Sequence, residues 1–143
     1  MVRKFSAGGV VYKKEGGEIL WLLMQPKPSK EFPSTRFQFP KGEIDRGEKG
    51  VNTAVREVAE ETGITGKTVQ KIGDSKYFFS QGGERIFKIV SFYLLEYISG
   101  NPQPDGIETS EVFWLPFEAA KKKLTFSSDK QILQKARDCL EKY

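Results

Sequence analysis

Glu57, Glu60 and Glu61 stand at i, i+3 and i+4, a spacing that puts all three carboxylates on one side of an α-helix. Like charges so placed repel by roughly 0.2–0.5 kcal/mol per pair, so the cluster is unfavourable unless something positive fills it. A hard divalent cation is the natural filler, because Mg²⁺ takes oxygen ligands, keeps several waters and is commonly shared between carboxylates and substrate phosphates. Arg56 adjoins the trio, and Glu48 is placed to pair with it from the start of the same helix, fixing the 41–47 loop. Gly42 and Gly47 in that loop let backbone carbonyls or amides approach a metal or a phosphate closely. On spacing alone, an acidic helix face is ordinarily just solvated, so the argument rests on the whole constellation. At about 100° per residue, the acidic face is expected to turn well away from the apolar stripe of Val51, Val55 and Val58.

Other chemistries are excluded by composition. The 143-residue sequence contains no histidine, which rules out Ser-His-Asp and Cys-His catalysis, His-ligated zinc and phosphohistidine transfer. Catalysis must run on carboxylates, lysines, hydroxyls or a bound metal. The one cysteine, Cys139, can form neither an intrachain disulfide nor a metal cluster by itself, and reads as a small apolar residue of a C-terminal helix. This suits a reducing cytoplasm. Hydrophobic residues at 38% and charged residues at 29% describe one ordinary globular domain spanning residues 1–143. Arg3 and Lys4 are followed by no apolar run, so no secretory leader is expected, and no stretch approaches the roughly 20 apolar residues of a membrane span. The net charge of +4 suits a polyanionic ligand, but the cations are spread along the chain with no nucleic-acid motif. Neither nucleic acid nor membrane is expected as a partner, and the chain is expected to be a monomer or homodimer.

The elements that must position these residues follow from the pattern. Ser6 to Tyr12 and Glu18 to Gln25 read as a hairpin joined at Gly16-Gly17. Residues 26–36, with Pro26, Pro28, Pro33 and the cations Lys27, Lys30 and Arg36, read as a loop, either simply solvated or a flap that touches substrate. Phe37 to Pro40 reads as a short strand ending in Lys41-Gly42, and Glu48 to Thr62 as a helix stopped by Gly63 with Val51, Ala54, Val55 and Val58 on its apolar face. Val69 to Ser80 and Arg85 to Ile98 read as strands about a Gly82-Gly83 turn, residues 99–106 as loop and Glu111 to Leu115 as a short strand. Helices follow over Phe117 to Leu124 and Asp129 to Glu141. The order implies a layered α/β domain.

The run from Gly42 through Glu48, Arg56-Glu57, Glu60-Glu61 and Gly63 to Ile64 resembles the Nudix box at every fixed position. Ser6 to Val11 and Phe39-Pro40-Lys41-Gly42 are similar to that family's flanking segments. The resemblance implies an α/β/α sandwich with a mixed β-sheet, and metal ligation by Glu57, Glu60 and Glu61 with the Gly42 carbonyl nearby. It implies hydrolysis of a phosphoanhydride bond with Mg²⁺, or Mn²⁺, as cofactor. Metal ions of this kind neutralise phosphate charge and acidify a water that attacks in line. A carboxylate deprotonates or orients that water. The candidates are Glu57 or Glu60 within the box and Glu96, Glu108 or Glu111 outside it, with Glu96 and Glu111 favoured.

Substrate choice lies outside the box. Phe37-Gln38-Phe39-Pro40-Lys41-Gly42, the Lys88 to Leu94 strand and the segment from Glu111 to Phe126 resemble the diadenosine polyphosphate hydrolase branch, with Phe37 and Phe92 where that branch carries Trp and Tyr. On that resemblance Tyr77 and Phe126 clamp a base, while Arg36, Lys41 and Lys88 meet phosphates. A dinucleoside polyphosphate such as diadenosine tetraphosphate is the expected substrate. The alternatives are a nucleoside triphosphate, ADP-ribose, a diphosphoinositol phosphate, or binding without cleavage.

Overall fold

The computed structural model describes residues 1–30 and 32–142. In chain order the elements are β1 (Val2–Glu15), β2 (Glu18–Pro26), β3 (Lys41–Glu43), α1 (Gly50–Thr62), β4 (Thr65–Gln81), β5 (Glu84–Ser99), β6 (Thr109–Pro116), α2 (Phe117–Lys123) and α3 (Ser127–Leu140). The six strands form one sheet in the order β4-β5-β1-β2-β6, with β3 on the N-terminal half of β1. β1 runs parallel to β5, and all the other pairs are antiparallel, so the sheet is mixed.

Both tight hairpins use glycine pairs because two consecutive positive φ angles are needed: +58° and +80° at Gly16-Gly17, +59° and +76° at Gly82-Gly83. Alternation along β1 then sorts side chains to two cores. Val10 and Tyr12 join Trp21, Leu23, Phe92 and Leu94 beneath α2 and α3, which contribute Ala120, Ile132, Leu133 and Ala136. Val11 points the other way and packs with Leu22, Leu95, Ile64 and Val58 of α1. The result is the expected α/β/α sandwich.

Three local expectations change. Residues 37–40 do not form a strand: Gln38 makes a single bridge to Met24, and the strand begins at Lys41, where pairing with β1 becomes available. β4 starts at Thr65 rather than Val69, because Gly63 closes α1 in the left-handed conformation and Ile64 is buried at once. The loop expected over 26–36 is seen on either side of Glu31, which lies outside the described residues. The third change concerns the face of α1. Its buried side carries Thr53, Ala54, Glu57, Val58 and Glu61, while Val51 and Val55 are half-buried. Glu57 and Glu61 therefore turn toward the protein rather than away from it, because β3 lies against that side of the helix.

Candidate active site

β3 lies antiparallel to β1, with Gly42 opposite Ala7. This brings Lys41-Gly42 beneath the acidic side of α1. The Lys41 backbone N–H donates to Glu61 Oε2 at 3.0 Å. A Cβ at Gly42 would overlap the Glu57 carboxyl group, so only glycine leaves that carboxylate its place. Glu57 and Glu61 are 9% and 6% exposed.

Arg56 organises the other side. Its Nε and Nη2 donate to the two oxygens of Glu48 at 2.8 and 2.9 Å, a bidentate pair, and Nη2 also reaches the Glu43 carbonyl at 3.2 Å. Its Nη1 donates to Glu57 Oε1 at 2.8 Å and Glu60 Oε2 at 3.1 Å, and Asp45 lies 3.4 Å from Nη2. Glu48 Oε1 further accepts from Thr53 Oγ1 at 2.6 Å and the Asp45 N–H at 3.1 Å. The guanidinium, with Thr53 helping, holds the Glu48 carboxyl down at about 2. Arg56 and Glu48 thus act as a clasp that closes the 43–48 loop onto α1.

Burial has the opposite effect on the inner carboxylates. It raises Glu61 to about 9, with the charge of Glu57 adding and the Lys41 N–H opposing. It also raises Glu57, against the pull of Arg56. Glu108 contributes to both shifts and Asp105 to that of Glu61, so the loop before β6 brings further negative charge to this place.

On the sheet face opposite α1, a cavity of about 320 Å³ opens beside Lys41. Arg36, Lys41, Tyr77, Lys88 and Phe126 all line it. Tyr77 stands opposite Lys88 in the β4–β5 register, and Lys41 Nζ donates to the Tyr77 hydroxyl at 3.2 Å. Burial lowers the pKa of Arg36, Lys41 and Lys88 and raises that of Tyr77. Phe126, 39% exposed, forms part of the rim, held where Thr125 N–H donates to the Phe37 carbonyl. Lys41 belongs to both places: its backbone N–H is bound by Glu61, and its side chain enters the cavity.

The NUDIX domain family model matches residues 2–136. The chain belongs to the Nudix family. Among Nudix relatives it is 29% identical over 136 residues to bis(5'-nucleosyl)-tetraphosphatase [asymmetrical] of Caenorhabditis elegans, covering 91% of each chain. It is also 34% identical over 106 residues to the putative mutator protein MutT4 of Mycobacterium tuberculosis, covering 74% of this chain. It spans 43% of the length of that protein and 29% of the 8-oxo-(d)GTP phosphatase of Mycolicibacterium smegmatis. The solved structure of a C. elegans Ap4A hydrolase binary complex superposes with a TM-score of 0.74 at 25% identity, over 98% of this chain and 99% of that one.

Within this Nudix site the residues singled out from sequence separate into groups. Glu48, Arg56, Glu57, Glu61 and Gly42 are together. Glu60 is tied to Arg56 but stands on the exposed side, so the expected ligand trio is split: among the described residues no three carboxylates converge on one point as the side chains stand. Arg56 Nη1 takes one oxygen each of Glu57 and Glu60. The donor set nevertheless fits a divalent cation. Buried carboxylates that resist ionisation beside one another, with a glycine backbone against them, are what a hard cation would stabilise.

Glu96 is not brought to the box. It stands opposite Tyr12 and Lys67 and lines a separate surface hollow with Lys13, Lys14 and Tyr97. Glu111 is exposed on β6 opposite Gln25. Of the three outside acids named from sequence, Glu108 is the one whose charge reaches Glu57 and Glu61. Its backbone is fixed: Asp105 Oδ1 accepts the N–H groups of Ile107, Glu108 and Thr109 at 2.8–2.9 Å, and the Lys27 N–H donates to the Glu108 carbonyl at 2.8 Å. The signal in the sequence was Asp105-Gly106, a side-chain turn just ahead of a carboxylate.

Proposed function

We propose that this Nudix chain hydrolyses a phosphoanhydride bond of a dinucleoside polyphosphate with Mg²⁺, Mn²⁺ serving as a substitute, in the cytoplasm. Diadenosine tetraphosphate is the reference substrate. The observation that carries this reading is the double role of Lys41, whose backbone belongs to the carboxylate box and whose side chain belongs to the aromatic, cationic cavity. A base held at Tyr77 and Phe126 would leave its phosphate chain beside Lys88, Arg36 and Lys41 and lead it to Glu57 and Glu61. Aromatic walls accept any base, and the charged groups pair with phosphate oxygens.

Glu57 and Glu61, with Glu60 released from Arg56 and the Gly42 carbonyl close by, would hold the metal. When bound, it supplies charge neutralisation on the phosphates and a more acidic water. The protein's own contribution is positional. The Arg56–Glu48 clasp keeps the loop on the helix, the cations of the cavity fix the phosphate chain, and burial keeps bulk water from the carboxylates. Glu108 on its fixed loop is the outside carboxylate placed to take a proton from the attacking water. The similarity to the nematode tetraphosphatase over 91% of each chain supports this substrate class. The two mycobacterial relatives favour a second reading, hydrolysis of a nucleoside triphosphate.

Chromatographic product analysis decides between them. Diadenosine tetraphosphate, nucleoside triphosphates, ADP-ribose and diphosphoinositol phosphates would each be incubated with Mg²⁺ or with chelator. The proposal expects Mg²⁺-dependent cleavage of the dinucleotide into two unequal nucleotides, faster than any triphosphate. Faster turnover of a triphosphate selects the second reading, and binding without turnover of any compound overturns both.

A further inference from the structure

The alternation that sends Val11 of β1 and Leu95 of β5 toward α1 continues to the start of both strands. There it puts Arg3, Phe5, Phe87 and Ile89 on one face, with Arg3 opposite Phe87 and Phe5 opposite Ile89. The edge strand β4 adds Phe78 opposite Phe87 and Lys76 opposite Ile89. The Phe78 and Phe87 rings lie 4.8 Å apart at 33°, and the Arg85 guanidinium sits 4.8 Å over Phe78. Phe5 and Phe78 are 53% and 52% exposed, and none of the four apolar side chains belongs to either core. Phe78, at the sheet edge, also touches the border of the cavity.

This face carries one sign of charge. Arg3, Lys76 and Arg85 are exposed around the rings. Glu43 and Glu84, next to it in sequence, alternate to the opposite face, where Glu43 pairs with Lys4. The first acid along the registers, Asp74 opposite Ser91, is already bound by Ser91 Oγ at 2.8 Å and Lys71 Nζ at 3.1 Å. Apolar side chains exposed singly are ordinary, but a contiguous group rimmed by charge marks a contact surface. A symmetric pairing of two copies would bring the same cations together with no free acid between them. The complement is a polyanion that carries flat apolar rings, its phosphates answering the cations and its bases the phenylalanines. Nothing local shows this in the sequence, because Arg3 and Phe5 reach the 76–89 hairpin only through the parallel β1–β5 pairing.

We infer that this face is a second ligand site, apart from the carboxylate box, that binds single-stranded nucleic acid without sequence preference. Phe5, Phe87 and Phe78 stack bases, while Arg3, Lys76 and Arg85 hold phosphates. Phenylalanine has no polar tip, so the stacking is indifferent to which base it meets, and a duplex withholds its base faces from it.

The test is fluorescence anisotropy in chelator with a labelled oligonucleotide of about ten nucleotides, as DNA and as RNA. A 5′-hydroxyl end gives the box no anhydride to engage. Binding of either strand is the expected result, with a duplex of the same length at least about tenfold weaker. Affinity should fall with salt at a logarithmic slope of roughly −2, the value for three phosphates of a single strand. Phe5→Ala should weaken binding about fivefold or more, and Arg3→Glu with Arg85→Glu should flatten the slope to roughly −0.7. Phe126→Ala, in the cavity, should leave oligonucleotide affinity unchanged. No binding, or equal affinity for the duplex, overturns the proposal. A loss in Phe126→Ala without one in Phe5→Ala overturns it as well, by placing the strand in the cavity. If the chain instead co-sediments with phosphatidylserine vesicles, or forms a dimer abolished by Phe5→Ala, the face belongs to lipid or to a second copy. Should Phe5→Ala fail to fold, the paired arginine changes, both at exposed positions, decide through the salt slope.

Discussion

The carboxylate box and the cavity beside it are built on opposite plans. In the box, Arg56 pairs with Glu48, Glu57, Glu60 and Asp45, Thr53 Oγ1 and the Asp45 N–H also donate to Glu48, and Lys41 N–H answers Glu61. In the cavity, among the described residues, Arg36 Nε and Gln38 Oε1 have no hydrogen-bond partner, and Asp129 is 5% exposed. A network paired this far is set before a ligand arrives and supplies the catalytic frame, with Glu60 the carboxylate to be released from Arg56. A lining of unsatisfied groups is completed by what enters it, and so sets selectivity. Damage to the box should therefore appear in kcat, and damage to the cavity in binding.

The largest expected effect is at the inner carboxylates. Glu61→Gln should lower kcat by roughly 10²–10³-fold in Mg²⁺ while leaving nucleotide affinity near that of the wild type, as steady-state kinetics would show. Arg56→Lys comes next. Lysine cannot reproduce the bidentate grip on Glu48 while reaching Glu57, so kcat should fall by roughly 10–100-fold, with a lower thermal midpoint as the clasp opens. Phe126→Ala should do the reverse of Glu61→Gln, raising KM by about tenfold with kcat largely kept, since stacking on one base contributes roughly 1–3 kcal/mol.

A smaller effect is expected in stability. Without metal, Glu61 titrates at about 9 in the folded chain, well above an unfolded glutamate. A raised folded pKa means that its contribution is fully present below about pH 4 and is lost as pH rises through about 9. Urea midpoints in chelator should thus fall between pH 6 and pH 9, by at most about 1.4 kcal/mol per pH unit from this group, and Glu61→Gln should flatten the slope. Glu96→Gln, on the far part of β5, should change neither rate nor affinity, whereas Glu108→Gln should lower kcat. Equal behaviour of the two would remove the distinction drawn between these acids.

The box was legible in the sequence because its chemistry is local. Glu57 and Glu61 lie one turn apart on a single helix, and Arg56 reaches Glu48 from the same turn set. What spacing could not supply was which side of that helix would be covered. Val51, Val55 and Val58 suggested one face, but β3 packs against another and buries the two carboxylates. Glu96 was favoured because an acid at the end of an apolar strand is seldom core. That argument does not say which part of the sheet the strand's end will occupy, and here it lies by Tyr12 and Lys13, apart from the box. Tyr77, Lys88 and Phe126 were found through resemblance and do share the cavity. Gln38 and Asp129 were not, since the cavity is assembled from the 32–41 segment, β4, β5 and the start of α3, and nothing local marks an acid in the first turn of a helix as buried.

The central claim is that box and cavity are two halves of one site joined at Lys41. The measurement that tests it most directly is a kcat and KM determination for a dinucleoside tetraphosphate in Mg²⁺ on the wild type, Glu61→Gln, Phe126→Ala and the double variant. The account predicts a loss in kcat from the first change, a rise in KM from the second, and both together in the double. Turnover that responds to Glu61→Gln but not at all to Phe126→Ala would contradict it, because the nucleotide would then reach the box without using the cavity.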